Sequence, residues 1–411
     1  MIELVGELIT EGIGQAGDRL QTDDSLSGQA GVEFIAHEDF RLRGVRLNTG
    51  TSLSYEGLFR SAGDVMISAE RVYPVTLTEF ELTVEGDGSS IEFISPVDQS
   101  RVAGAPDAPL SIGGMLSINA DHIHQGGNLY APLGQLEFKA DERLQLSAGS
   151  MTSSSGFGVE APFFVTQPGG DLLLPGSGLN GDIIFVEAES DAIPYDRELP
   201  EQFVLLDSPD IIVQEGAFFD LRGGSDARAT EFIPGPGGSS DILLADLDPG
   251  ADIDANEAFA IIPGIGSFAL YDPLLTPQAE SVQGISIGDT LVLEEGIDGL
   301  PAGEYAILPA QYSLFGGYLV TPVAGTEDFS TDLNITNPDG SHVLAGRYGV
   351  AGSDAVSSRS QGFEIANGDI VRDRAEYLET ALADVYVEGN LRAPDDAGTL
   401  SICLLYTSDA A

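Results

Sequence analysis

The pattern Gly, any, apolar, any, apolar, any, Ala occurs at Gly114–Ala120 and again at Gly134–Ala140, an interval of 134 − 114 = 20 residues. Both copies lie within GGMLSINADHIHQGGNLYAPLGQLEFKAD (113–141), and an earlier copy is Gly63–Ala69, GDVMISA. Alternating apolar residues such as Leu116 with Ile118, and Leu136 with Phe138, put side chains on one face of a short strand. A strand this brief cannot bury that face alone. A recurrence of about twenty residues therefore predicts stacked units, each covering the next. Parallel stacking in register leaves lateral edges only at the two ends. The expected fold is all-β, a parallel β-helix (β-solenoid), with an antiparallel sandwich as the rival that alternation alone also allows.

Residues 1–160 keep this character throughout, in about 20 to 30 residues per unit, with Gly or Asn-Thr-Gly at the corners where positive φ is needed. Eight such coils would form a rod of about 40 Å at the strand spacing of about 4.8 Å. Residues 161–330 lose the beat. Pro-Gly and Gly-Gly pairs become dense (QPGGDLLLPGSG, PGPGGSSD) around short apolar runs, which predicts an irregular β-rich elaboration. Residues 331–402 return to short strands and Gly turns. Within them Arg372–Asp384, RDRAEYLETALAD, spaces Ala375, Leu378 and Leu382 for one face of a short helix, with an extended reading still open.

Length alone suggests two or three domains for 411 residues, but stacked units grow by addition and escape that count. With Gly 51, Pro 22 and no Trp, composition favours short strands and turns over long helices. Charge excludes more. Asp and Glu total 66 against 17 Lys and Arg, giving −49, and Lys139 is the only lysine. Such a surface repels phosphate backbones and anionic bilayers, so neither nucleic acid nor membrane insertion is expected. Solubility accounts for the charge, and a saline environment that screens the self-repulsion is the sharper reading.

The amino end, MIELVGELITEGIGQAGDRLQ, has no basic region followed by an apolar core and reads as coil sequence in progress. The only cysteine, Cys403, opens CLLYTSDAA. That string is what the transposon adapter of short-read sequencing libraries encodes in one frame. Cys403–Ala411 is therefore expected to be adapter-encoded, with the natural gene continuing past about Ile402, which makes the chain an internal fragment.

Candidate chemistry is sparse. Asp246, Asp248, Asp252, Asp254 and Glu257 fall at positions 1, 3, 7, 9 and 12 of DLDPGADIDANE, which is similar to a twelve-residue calcium loop. Gly250 stands where a ligand belongs and Ala251 where the sharp turn needs Gly, so a solvated acidic turn is the preferred reading and no cofactor is expected. His122 and His124 share a strand face and make half a metal site at best; exposed residues flanking a turn is the simpler account. Arg41, Arg43 and Arg46 form the one basic cluster, for which ion pairs with neighbouring acids outweigh an anionic-ligand patch. Among nucleophile and phosphate motifs, Gly-x-Ser-x-Gly, His-Glu-x-x-His and GxxxxGK[ST] do not occur. No enzymatic activity is expected.

One ordered series of segments goes further: AERVYPVTL (69–77), HQGGNLYAPLGQLEF (124–138), LSAGSMTS (146–153), DLRGGSD (220–226), EFIPGPGGSSDIL (231–243), FAIIPG (259–264), GLPAGEYAILPAQYSLFGGYLVTPVAG (299–325) and IANGDIVRDRAEYLET (365–380). Together they resemble the filamentous-haemagglutinin family of large bacterial exoproteins, in the region well downstream of its secretion domain. The resemblance implies a right-handed parallel β-helix and export through a dedicated outer-membrane two-partner-secretion transporter. It further implies an adhesive stalk at the cell surface or outside the cell, meeting a receptor or glycan. The family also includes haem-protein capture, and polysaccharide lyases or hydrolases use the same architecture, so both stand as alternatives.

Overall fold

Gly134 explains why the repeat begins with glycine. A Cβ there would lie 2.0 Å from the carbonyl oxygen of Gly114, and a Cβ on Gly114 would lie 2.7 Å from Pro74 Cγ. Strands entering at these points run too close for any side chain. The twenty-residue interval is the pairing register itself: strand Met115–Gly126 pairs in parallel with Gln135–Leu146, Met115 opposite Gln135 and Ala120 opposite Ala140.

The computed structural model of the chain describes residues 2–5, 7–10, 31–48, 53–96, 108–159, 162–166, 172–174, 184–186, 200–224, 228–233, 242, 258–264, 289–308, 310–326, 328–331, 333–350, 355–381 and 397–403. The described residues are almost wholly strand, turn and loop, an all-β protein. They fall into two units. The first comprises Met1–Val159, Ala192–Asp226 and Tyr386–Ala411; the second comprises Glu160–Asp191 and Ala227–Val385. This division differs from sequence boundaries at 160 and 330, because Phe203–Asp207 and Thr399–Cys403 continue the ladder of the first unit.

In the first unit one sheet runs Ile2–Val5, Asp39–Arg43, Arg71–Pro74, Asn128–Tyr130, Met151–Ser153, Phe218–Asp220, every pair parallel. The second sheet holds the longer strands, parallel except where Val45–Asn48 folds back on Leu53–Ser61. Two shorter strands, Thr78–Val84 and Ser90–Ile94, pair with the first and second halves of Met115–Gly126. The early repeat copy at Gly63–Ala69 therefore does not stack under Gly114–Ala120. Its strand, Val65–Ser68, pairs with Ser90–Ile94 on the other side of a bend.

The bend sits where alternation slips. Leu116, Ile118 and Ala120 point inward, and then Ile123 and Gln125 do, with a register shift between Ala120 and His122. Stacked inward positions make apolar columns, such as Leu82–Ile118–Phe138–Leu206 and Ile91–Ile123–Leu144. Burying each large side chain contributes about 1.5–3 kcal/mol. Gln125 interrupts one column, fully buried; its amide donates to Met151 O at 2.9 Å and its Oε1 accepts from Gly127 N, closing the corner. A neighbouring corner repeats in three layers, with Leu77, Gly113 and Leu133 all at positive φ. Their N–H groups donate to Ile112, Pro132 and Ser154 carbonyls.

The second unit is built mainly of antiparallel pairs. A seven-stranded sheet includes Phe259–Ile261, Thr290–Leu293, Tyr318–Pro322, His342–Gly349 and Gln361–Asn367, over a core of Leu291, Val320, Leu344 and Phe363. The helix expected over 372–384 is displaced. A short helix occupies Gly368–Arg374, where Asn367 Oδ1 accepts from Ile370 N at 3.0 Å as its N-cap. Glu376–Ala381 instead form a strand against Arg228–Ile233. That antiparallel pairing overrides the helical spacing of Ala375 and Leu378.

Candidate functional site

The outer face of the longer sheet carries the chemistry. In parallel stacking, residues one coil apart become lateral neighbours, so Glu92, His124 and Gln145 occupy one row. His122 and His124 lie mid-strand in this face rather than beside a turn, which corrects the turn-flanking expectation. His122 Nε2 is 3.2 Å from Glu142 Oε2. His124 is held from both sides: Nδ1 lies 2.8 Å from Glu92 Oε1 and Nε2 lies 2.6 Å from Ser147 Oγ. A carboxylate only accepts, so Nδ1 carries a proton toward Glu92; in the tautomer with that proton alone, Nε2 accepts from the serine hydroxyl. The His124 and Glu92 side chains are about two-fifths exposed. Asp121 Oδ2 accepts from Gly88 N at 2.6 Å.

Along the same sheet, beyond the bend, a groove of about 560 Å³ crosses four strands. Glu56 stands opposite Glu79 on one row, and Glu81, Ser117 and Glu137 follow one another on the next. Burial, reinforced by the Glu56 charge, pushes the Glu79 carboxyl above its ordinary value. Glu81 Oε1 accepts from Thr83 Oγ1 at 2.6 Å and from Asn119 Nδ2 at 3.2 Å. This wall of acceptors suits hydroxyl-rich or cationic ligands and repels anions.

The arginine cluster reads differently in three dimensions. Arg41 is buried, 4% exposed, two residues along the same strand from Asp39. The ion pair to Asp39 comes from Arg71, whose Nε donates to Oδ1 at 2.6 Å and Nη2 to Oδ2 at 2.9 Å, while Tyr73 Oη donates to Oδ2 at 3.0 Å. Burial pushes the Tyr73 hydroxyl well up, so it remains a donor. This network is internal, and Arg41 lies near enough to Tyr73 to act on its hydroxyl. The proposed calcium loop, Asp246 to Glu257, lies outside the described residues. Among the described residues no three His, Cys, Asp or Glu side chains are grouped to hold a metal, and no helix is long and apolar enough to cross a membrane.

Sequence reasoning missed the Glu92–His124–Ser147 cluster because His124 is 32 and 23 residues from its two partners and the three match no linear motif. The signal that would find it is the coil interval. Against known proteins, no family model matches the chain, and neither does any curated protein or solved structure. The family resemblance therefore rests on the sequence segments themselves.

Proposed function

We propose that the chain is part of a secreted or surface-displayed bacterial exoprotein of the filamentous-haemagglutinin type, whose first unit is a right-handed parallel β-helix acting as a rigid adhesive stalk. The observation that carries this reading is the in-register parallel ladder from Leu53–Ser61 through Thr78–Val84, Met115–Gly126, Gln135–Leu146 and Phe203–Asp207 to Thr399–Cys403. Each added strand lengthens such a stack by about 4.8 Å. Its backbone hydrogen bonds run along the stack, so bending it strains many bonds at once. A function of reach needs this stiffness and no cleft.

Export runs through a two-partner-secretion transporter, as the resemblance implies. The surface partner is a receptor or a neutral or cationic glycan, supported by the repulsion of anions by the net charge of −49. The second unit, with its separate core, is the loop-rich element most suited to partner contact. The test displays the chain on a non-adhesive bacterium. A second strain carries a variant in which short Gly-Ser linkers replace Glu160–Asp191 and Ala227–Val385. Display should confer adhesion to glycan-coated surfaces, and excision should remove it. Full-length display that confers no adhesion would sink the adhesive reading, and unchanged adhesion after excision would move the contact to the first unit.

A further inference from the structure

We propose that Ser147 is a nucleophile for acyl transfer, with His124 as its base and Glu92 as a positioning carboxylate, acting on esters of neutral or cationic alcohols. The case is independent of the stalk reading and rests on the His124 hydrogen bonds to Glu92 and Ser147 described above. The two imidazole nitrogens are used in the sense that nucleophilic catalysis needs: carboxylate on Nδ1–H at 2.8 Å, hydroxyl on Nε2 at 2.6 Å. In the Nδ1–H tautomer the serine hydroxyl donates to Nε2, along the path by which a nucleophilic serine loses its proton.

Two further features adjoin the pair. Gly126 lies next to them at the strand end, where a Cβ would have His124 Nε2 and Ser147 Cβ each at 3.9 Å and Phe93 O at 3.1 Å, so a larger residue there would crowd the pair. The backbone N–H that follows the nucleophile, Ala148 N, donates to Gln214 Oε1 at 3.1 Å. Gln214 is an exposed side chain, so a developing oxyanion can displace it. Glu92 and the nearby Glu142 surround the site with negative charge, which disfavours anionic esters.

The chemistry balances without a cofactor. Ser147 Oγ attacks the ester carbonyl as its proton passes to His124 Nε2, and the tetrahedral oxyanion takes the Ala148 N–H. Collapse breaks the bond to the alcohol oxygen, and the alcohol leaves with the proton from Nε2. The acyl group then sits on Ser147. Water gives a proton to Nε2 and attacks this ester; the bond to Oγ breaks, Oγ recovers the proton and the acid departs. The net reaction is ester plus water giving acid plus alcohol.

The test uses the full chain with p-nitrophenyl acetate and with a fluorophosphonate probe, locating the modified residue by peptide mapping. Ser147 should be labelled, and Ser147→Ala should abolish both labelling and turnover. His124→Ala should slow them by about 100-fold or more with the melting temperature little changed. Glu92→Gln should lower kcat on the order of tenfold or more while KM stays put, and should remove the downfield His124 Nδ1 proton resonance. As a check that does not depend on the alanine variants folding, the thiol of Ser147→Cys should be alkylated by iodoacetamide faster than the exposed Cys403 of the same molecule. Labelling of Ser147 no faster than that of other serines would overturn the proposal. So would a His124→Ala protein that labels as the parent does, or a Ser147→Cys thiol no faster than Cys403.

Discussion

At the scale of single residues, scarce cations set the design. With 17 Lys and Arg among 66 acids, an arginine that touches two carboxylates does more than its share of neutralisation. Arg374 is such a residue: its Nε donates to Asp339 Oδ2 at 2.9 Å, and its Nη2 reaches both Asp339 and Glu364. Ser341 adds its backbone N–H and hydroxyl to Asp339 Oδ1 at 3.1 and 2.9 Å. The Arg374 hydrogen bond, followed by those of Ser341, holds the Asp339 carboxyl down to about 2. The folded value lies below the unfolded one. The interaction therefore supports the second unit above the ordinary carboxylate range and is lost as pH falls toward and through about 2. A carbon-detected NMR titration of the Asp339 carboxyl should have its midpoint near 2, and Arg374→Gln should return it toward about 3.9. A midpoint that ignores the substitution would mean that the serine, not the arginine, holds the charge. Asp39 shows the same economy inside the first unit, where one buried carboxylate accepts from Arg71 and Tyr73 together.

At the scale of elements, glycine at strand entry sets how closely paired strands approach. Gly134→Ala forces its Cβ against the Gly114 carbonyl, a backbone atom that cannot swing aside. Urea denaturation should show a loss of about 2–3 kcal/mol, as for other overpacked sites. A neutral result would mean that the coils separate freely. This is also where sequence and structure meet best. The interval from Gly114 to Gly134 carries strand, inward face and parallel register at once, because stacking turns sequence period into lateral neighbours. Legibility ends where that identity breaks. Gly63–Ala69 has the same local pattern as Gly114–Ala120 but sits beyond the bend, and no local rule distinguishes the two walls. Glu376–Ala381 keep helical spacing yet pair with Arg228–Ile233, a partner almost 150 residues away whose contribution no short window contains. His124 failed for the related reason that a lateral row has no fixed spacing when coils differ in length. Its partners lie 32 and 23 residues off, and the unequal intervals hide what equal ones would have advertised.

At the scale of the whole molecule, the net charge of −49 is a force on the fold as much as a filter on partners. Pairing every Lys and Arg with one acid would still leave 66 − 17 = 49 carboxylates unmatched, so repulsion between them opposes compaction. Salt acts on both sides. It weakens exposed pairs such as Arg143–Asp210, at 2.7 Å and half-exposed, each worth about 0–1 kcal/mol. It also screens the larger number of like-charge interactions, over a length that falls from about 30 Å at 0.01 M to about 3 Å at 1 M. Unpaired acids outnumber cations, so the second effect wins and the melting temperature should rise with sodium chloride. The shape of the rise separates screening from a general salt effect. Screening gives most of its gain below about 0.2 M, where the screening length has already dropped under 10 Å. Preferential exclusion of salt from the surface instead continues to build into the molar range. Differential scanning calorimetry from about 10 mM to about 1 M sodium chloride reads the difference directly. A melting temperature that stays level or falls would show that the carboxylates are spaced widely enough to ignore one another, and that the charge serves solubility alone.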